Sequence, residues 1–223
     1  IISITGQVGD AGTGHTINCA GQVCTVTRGT GGTPGIFTAG VTTVVFGVVK
    51  NPAVSGATGT FTITTTDNSN SPIDTLTTVP AVTITAGVIS VADVTPASLV
   101  AGASGAATAT FTTANPVPAD GKFVVTFPAN FDVTGATVTA VTGQTGAAGA
   151  YTINCAAQVC TVTRGAGAGI FTAGVTTVVF GVVKNPEVSG ATGTFTITTT
   201  TNGDVTIDTL TTVPAVTITA GVI

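Results

Sequence analysis

The sequence predicts an all-β protein of two β-sandwich domains, the first incomplete, and three observations predict it. One block is written twice: Val41–Ile89 and Val175–Ile223 differ at six positions. Apolar residues alternate with threonine at a period of two, the pattern of half-buried strands. No stretch carries a 3.6-residue apolar period, so no amphipathic helix is expected.

The copies are offset by 134 residues at Val41 and Val175, and Thr16–Gly29 matches Thr152–Gly165 as closely. Residues 90–223 therefore hold one complete repeat, read as a full domain. Residues 1–89 form the second expected domain, without the part that Ser90–Thr139 supplies in the other copy. A sandwich lacking those strands is expected to leave an open sheet edge and an uncovered inner face, and to borrow what it lacks. With no Met in the chain and no basic leader ahead of Ile1, the sequence reads as processed or partial.

Along the complete repeat, Ala107, Ala109 and Phe111 alternate with Thr108, Thr110 and Thr112. Phe123, Val125 and Phe127 alternate with Lys122, Val124 and Thr126; Phe195 and Ile197, then Val216 and Ile218, alternate with threonines. Threonine is β-branched, so it favours extended backbone while keeping the outer face polar and uncharged. Val175–Val183 is apolar on both faces and reads as a central strand, or one whose outer face meets another subunit. Asn115-Pro116, Ala119-Asp120-Gly121, Lys184-Asn185-Pro186 and Asn202-Gly203 mark turns. About eight or nine short strands per repeat read as a sandwich of immunoglobulin-like architecture. The repeats meet near Ile89–Val94 without a Gly/Ser or charged linker, which predicts a semi-rigid string.

The four cysteines fall in equivalent Cys-x4-Cys pairs, Cys19/Cys24 and Cys155/Cys160, each in a strand, short turn and returning strand. Of the three possible connectivities, duplication favours Cys19–Cys24 and Cys155–Cys160. Closing so short a loop stabilises by about 2 kcal/mol on the chain-entropy view. Zinc would need a second ligand pair, and the lone His15 is replaced by Tyr151 in the other copy. Disulfides imply an oxidising compartment outside the cytosol.

Charged residues are 6% of the chain and the net charge is −4, against about a quarter charged in ordinary soluble domains. Five scattered basic residues make no nucleic-acid face. Mean hydropathy is +0.62, yet no apolar run reaches the roughly 18–20 residues of a membrane span. So little surface charge suits a chain that packs against copies of itself.

The smaller signals read as structure. His15 is expected in an exposed turn, with no orienting acid or nucleophile for base catalysis. Gly29–Gly35 and Gly165–Gly169 lack the helix and Lys-Ser/Thr of a phosphate loop. Asp67-Asn68-Ser69-Asn70 spaces oxygens as calcium sites do, but its counterpart Thr201–Asp204 is a plain turn. Lys50-Asn51 and Lys184-Asn185 are adjacent, the wrong geometry for an isopeptide crosslink. No Asn-x-Ser/Thr sequon occurs; Thr65-Thr66 and Thr198–Thr201 are possible sites of O-linked glycan.

Thr95–Gly102 (TPASLVAG) followed by Thr112–Pro128 (TTANPVPADGKFVVTFP) resembles a module found in tandem in extracellular proteins, itself similar to immunoglobulin-like sandwiches. The whole chain is similar to the protomer of helical extracellular fibrils of the pilin type. In these, an immunoglobulin-like domain is completed by a strand from another protomer. The resemblance implies donor-strand exchange.

The expected function is therefore structural: a self-assembling subunit of an extracellular, cell-surface fibril or pilus-like appendage. Residues 1–89 would be the acceptor. The donor would be Ile1, Ile2, Ser3, Ile4 and Thr5, a short β-rich segment. The alternative is the tandem-repeat stalk of a cell-surface adhesin. Thr-x-Thr arrays also occur on ice-binding surfaces, but those rest on short solenoid repeats. No nucleophile–base–acid group or metal cluster can be assembled, so neither an enzyme nor a cofactor is expected, and the expected partners are other copies of the chain.

Overall fold

The structure, a computed structural model, describes residues 3–5, 15–28, 39–143, 151–165 and 169–222. It divides into two compact units, Ile1–Asn51 and Pro52–Ile223. Among the described residues every regular element is a strand. The first unit holds β1 (Ser3–Thr5), β2 (Thr16–Ala20), β3 (Val23–Thr27) and β4 (Thr43–Val45). In it β1 pairs with β4 and β2 with β3, both antiparallel.

The second unit begins with β5 (Gly56–Ala57), β6 (Phe61–Thr66), β7 (Pro72–Val79), β8 (Thr83–Ile84) and β9 (Gly87–Val88). The complete repeat follows: β10 (Ser90–Pro96), β11 (Ser104–Thr112), β12 (Lys122–Thr126), β13 (Thr137–Thr142), β14 (Tyr151–Ala156) and β15 (Val159–Arg164). It ends with β16 (Val175–Lys184), β17 (Gly190–Ala191), β18 (Phe195–Thr200), β19 (Thr206–Val213) and β20 (Thr217–Ile218).

Two sheets form the sandwich, one in the order β10-β11-β16-β13 and the other β14-β15-β12-β18-β19-β9. The period-two pattern decides which side chains lie between them. Ala107, Ala109, Phe111, Val178 and Phe180 from one sheet meet Phe123, Val125, Val162, Phe195 and Ile197 from the other, all fully buried. Phe127 anchors the centre, its ring 5.6 Å from Phe180 and 5.7 Å from both Phe131 and Phe195. Such edge and tilted contacts add to what area burial alone provides.

The two-sided strand Val175–Val183 is central: β16 pairs with β11 on one edge and β13 on the other. Both repeats place a valine at positive φ within this segment, Val48 at 51° and Val182 at 57°. The β-branched residue is costly in that region, and the position in β16 coincides with a bulge opposite Gly105/Ala107.

The repeats do not part at Ile89–Val94 as independent bodies. Gly87–Val88 joins the six-stranded sheet of the complete repeat, and Ile89 lies in its core. Residues 52–89 thus group with residues 90–223. The local reason is β12, which hydrogen-bonds β15 on one edge and β18 on the other. Its counterpart is absent from the first repeat, and β3 and β6, the copies of β15 and β18, fall in different units.

Candidate assembly surface

The duplicated hairpin is an internal control for what sequence fixes and what neighbours fix. β6–β7 and β18–β19 pair in the same register, with bulges at the same places: Phe61/Ile63 and Thr65/Thr66 in one, Phe195/Ile197 and Thr199/Thr200 in the other. Both turns use a residue able to adopt the left-handed region, Asn70 at φ 63° and Asp204 at φ 62°. The hairpin is therefore dictated locally.

Burial is not. Phe195, Ile197 and Ile207 are 0%, 0% and 1% exposed, whereas Phe61, Ile63 and Ile73 are 46%, 59% and 66% exposed. In the complete repeat β12 lines the edge of β18, pairing Val125 with Ile197 and Val124 with Thr198. Among the described residues β6 has only β7 beside it, and β7 only β6. An unpaired edge flanked by exposed Phe61, Ile63 and Leu76 is a template for adding a strand.

The outer edge of the buried hairpin is occupied. β9 adds to β19 in parallel, Gly87 opposite Asp208 and Val88 opposite Thr209, and Ile89 N donates to Thr209 O at 3.3 Å. Asp208 is fully buried. Its Oδ2 accepts from Ala114 N at 3.1 Å and Asn115 N at 3.0 Å, and its Oδ1 from Asn115 Nδ2 at 2.7 Å. Three N–H groups satisfy the carboxylate, as a buried charge requires. A Cβ at Gly87 would lie 2.0 Å from Asp208 Oδ1, so only glycine fits this approach.

Neither Asp208 nor Arg164 stood out in the sequence. Arg164 is 2% exposed; its Nη1 donates to Pro118 O at 2.9 Å and its Nη2 to Gly169 O at 2.6 Å. The guanidinium lies 3.5 Å from the centre of the Phe171 ring. Burial lowers its pKa from the ordinary value and Tyr151 opposes that; the group stays cationic at neutral pH. The Asn115–Lys122 turn is thus held by both residues. Thr95–Gly102 is held by buried Asn185, whose Nδ2 donates to Ser98 O at 2.7 Å and Val100 O at 2.9 Å. Gly102 closes that turn at φ +68°.

The cysteines form the expected bonds, Cys19–Cys24 and Cys155–Cys160, each pair directly opposite across its hairpin. The second rests on the core through Cys160, which is fully buried; two disulfides fit an oxidising compartment.

The N-terminal segment has a place of its own. Ser3, Ile4 and Thr5 pair with Val45, Val44 and Thr43, the register in which Ala140, Val141 and Thr142 pair with Val179, Val178 and Thr177. This segment is the first repeat's copy of the end of β13, and its hydrogen bonds go to its own chain. Of the residues expected as donor strand, Ser3, Ile4 and Thr5 are paired with β4 of their own chain; Ile1 and Ile2 lie outside the described residues. The shared Thr-Gly-Gln at Thr5–Gln7 and Thr142–Gln144 was the signal.

Asp67 makes a turn, its Oδ1 accepting from Ser69 N and Ser71 N at 2.8 Å. Lys184 pairs with Glu187 while Asn185 is used as above. His15 is half-buried directly ahead of β2 rather than exposed in a turn. Thr199 and Thr200 are buried, which closes them to glycan, whereas Thr65 and Thr66 are exposed. Residues 29–35 lie outside the described residues, as do 166–168 of the second glycine-rich run. Among the described residues no three acidic, His or Cys side chains gather as metal ligands, and no helix is long and apolar enough to cross a membrane.

The sequence matches no family model and no curated protein. A crystal structure of BslA, a bacterial hydrophobin, aligns over 58% of this chain and 96% of its own at 13% identity, with a TM-score of 0.35. A likeness that loose carries no argument about function.

Proposed function

We propose that the chain is a structural subunit of a self-assembling extracellular fibril or pilus-like appendage, in which a second copy contributes a strand that complements the Phe61–Val79 hairpin. The single observation that carries this is one hairpin sequence in two environments, buried at Phe195–Val213 and open at Phe61–Val79. The sparse charge of the chain removes most of the repulsion that would oppose association.

Magnitudes limit what the face can do alone. Phe61, Ile63 and Leu76 are already about half covered, so completing their burial contributes about 2–5 kcal/mol in all. Association costs about 4–15 kcal/mol in lost freedom. The apolar face therefore needs the hydrogen bonds of an added strand, and a contact between different patches repeats into a filament rather than closing.

The Gly87–Asp208 joint favours one other reading, a rigid tandem-repeat stalk of a cell-surface adhesin. Hydrogen exchange separates the two. Assembly predicts that amides of residues 61–79 exchange quickly in dilute protein and become protected as concentration rises. Exchange that stays fast at every concentration, with monomers throughout, rejects assembly in favour of the stalk.

A further inference from the structure

Both halves of the joint at Gly87–Asp208 occur a second time in the chain, and the second set is unpaired. Ala86–Ile89 and Ala220–Ile223 share the sequence AGVI, and Ile73–Leu76 and Ile207–Leu210 share IDTL. The structure joins the first AGVI to the second IDTL. The remaining halves are exposed. Gly221 and Val222 belong to no strand, Val222 is fully exposed, and the outer edge of β7 carries no partner among the described residues.

We infer that Gly221–Val222 of one copy adds in parallel to the outer edge of Pro72–Val79 of the next, Gly221 opposite Asp74 and Val222 opposite Thr75. The inference rests on the self-association proposed above and names the strand that performs it. The occupant is argued from the molecule's own precedent: the same two sequences meet in the joint already described, Gly87 opposite Asp208 and Val88 opposite Thr209. Donor and acceptor are different surfaces of one chain, so the contact runs head to tail and does not close.

The glycine makes the inference testable. At Gly87 a Cβ would meet Asp208 Oδ1 at 2.0 Å and Asn115 Nδ2 at 2.5 Å, whereas at Gly221 it would meet only Val100 Cγ1 at 3.7 Å. Alanine at 221 is thus tolerated in the separate molecule and crowds the Asp74 carboxylate in the joint, which weakens it. Asp74 is equally undemanding alone: it is exposed, and its Oδ2 accepts from Thr65 Oγ1 at 3.1 Å. Residues 1–89 contain no counterpart of Asn115, so Asp74 is less enclosed than Asp208 and the joint between copies is the weaker, concentration-dependent one.

The experiment is crosslinking of the full chain carrying Thr75→Cys and Val222→Cys under mild oxidation. Val88→Cys with Thr209→Cys, partners within one molecule, serves as the positive control. A ladder of disulfide-linked multimers on non-reducing gels is expected. Adding Gly221→Ala is expected to reduce it on the order of tenfold, about 1.4 kcal/mol of binding, with the thermal melt of dilute protein unchanged. A silent Thr75/Val222 pair beside a working control, in protein that forms filaments, overturns the joint and leaves self-assembly standing. A silent pair in protein that never assembles overturns both, and a ladder indifferent to Gly221→Ala overturns the joint.

Discussion

Phe61 and Phe195 hold equivalent places in the duplicated hairpin, and truncating each to alanine separates folding from association. Phe195 is fully buried, its ring 5.7 Å from both Phe127 and Phe131. Phe195→Ala removes a core ring and leaves a cavity, a loss of about 3–5 kcal/mol. For a unit of this size that is a drop in melting temperature of roughly 6–20 °C. Phe61 is 46% exposed, so Phe61→Ala is expected to change the stability of dilute protein by less than about 0.5 kcal/mol, as surface substitutions do. The same change removes the largest apolar contact offered to a neighbour, so it is expected to raise the concentration needed for assembly. The assay is urea unfolding followed by far-ultraviolet circular dichroism, because the chain has no Trp and one Tyr, with sedimentation as the readout of association. Equal destabilisation by the two substitutions in dilute protein would refute the reasoning, since it would mean that Phe61 is already packed.

Other expectations follow from the same contacts. Asp208→Ala strands three part-buried N–H donors and is expected to cost about 2 kcal/mol in urea unfolding, while Asp74→Ala leaves dilute protein unchanged. Replacing Cys155 and Cys160 together by alanine should cost about 2 kcal/mol by the same measurement, from the restored freedom of the short loop. The Thr134 hydroxyl and amide hydrogen bonds hold the Asp132 carboxyl below its ordinary value of 3.8, burial opposes them, and Lys184 adds to the lowering. That contribution is present above pH 3.8 and lost as pH falls through the lower folded-state value. Thr134→Val is expected to move the carboxyl's midpoint upward in an NMR titration.

What the sequence disclosed was what local rules control. Period-two alternation placed Phe123, Val125, Phe127, Phe195 and Ile197 in the core, where all five are buried. The Cys-x4-Cys spacing and its duplication led to both disulfides. What stayed hidden depends on partners far along the chain. Asp208 meets Asn115 across 93 residues, and Arg164 meets Pro118 across 46. Periodicity says nothing about which distant partner a buried polar residue meets. Thr176 and Thr199 are buried because they stand in phase with Val178 and Phe180 and with Phe195 and Ile197, so the period gives their face although not their hydrogen-bond partners. Apolar character alone makes Ile1–Thr5 a candidate donor strand; the kinship of Ser3–Thr5 with Ala140–Thr142 is what points to its pairing with β4. The exposed face of Phe61–Val79 was foreseeable, since it follows from the strand that β18 has and β6 lacks.

The most direct test of the central claim compares two chains by sedimentation velocity and negative-stain electron microscopy across a concentration series. One is the chain itself; the other carries an added copy of Ser90–Thr139 ahead of Ile1, which supplies the missing neighbours of β6. Assembly through the open hairpin predicts filaments from the first and monomers from the second. Monomers from both at every concentration would contradict it.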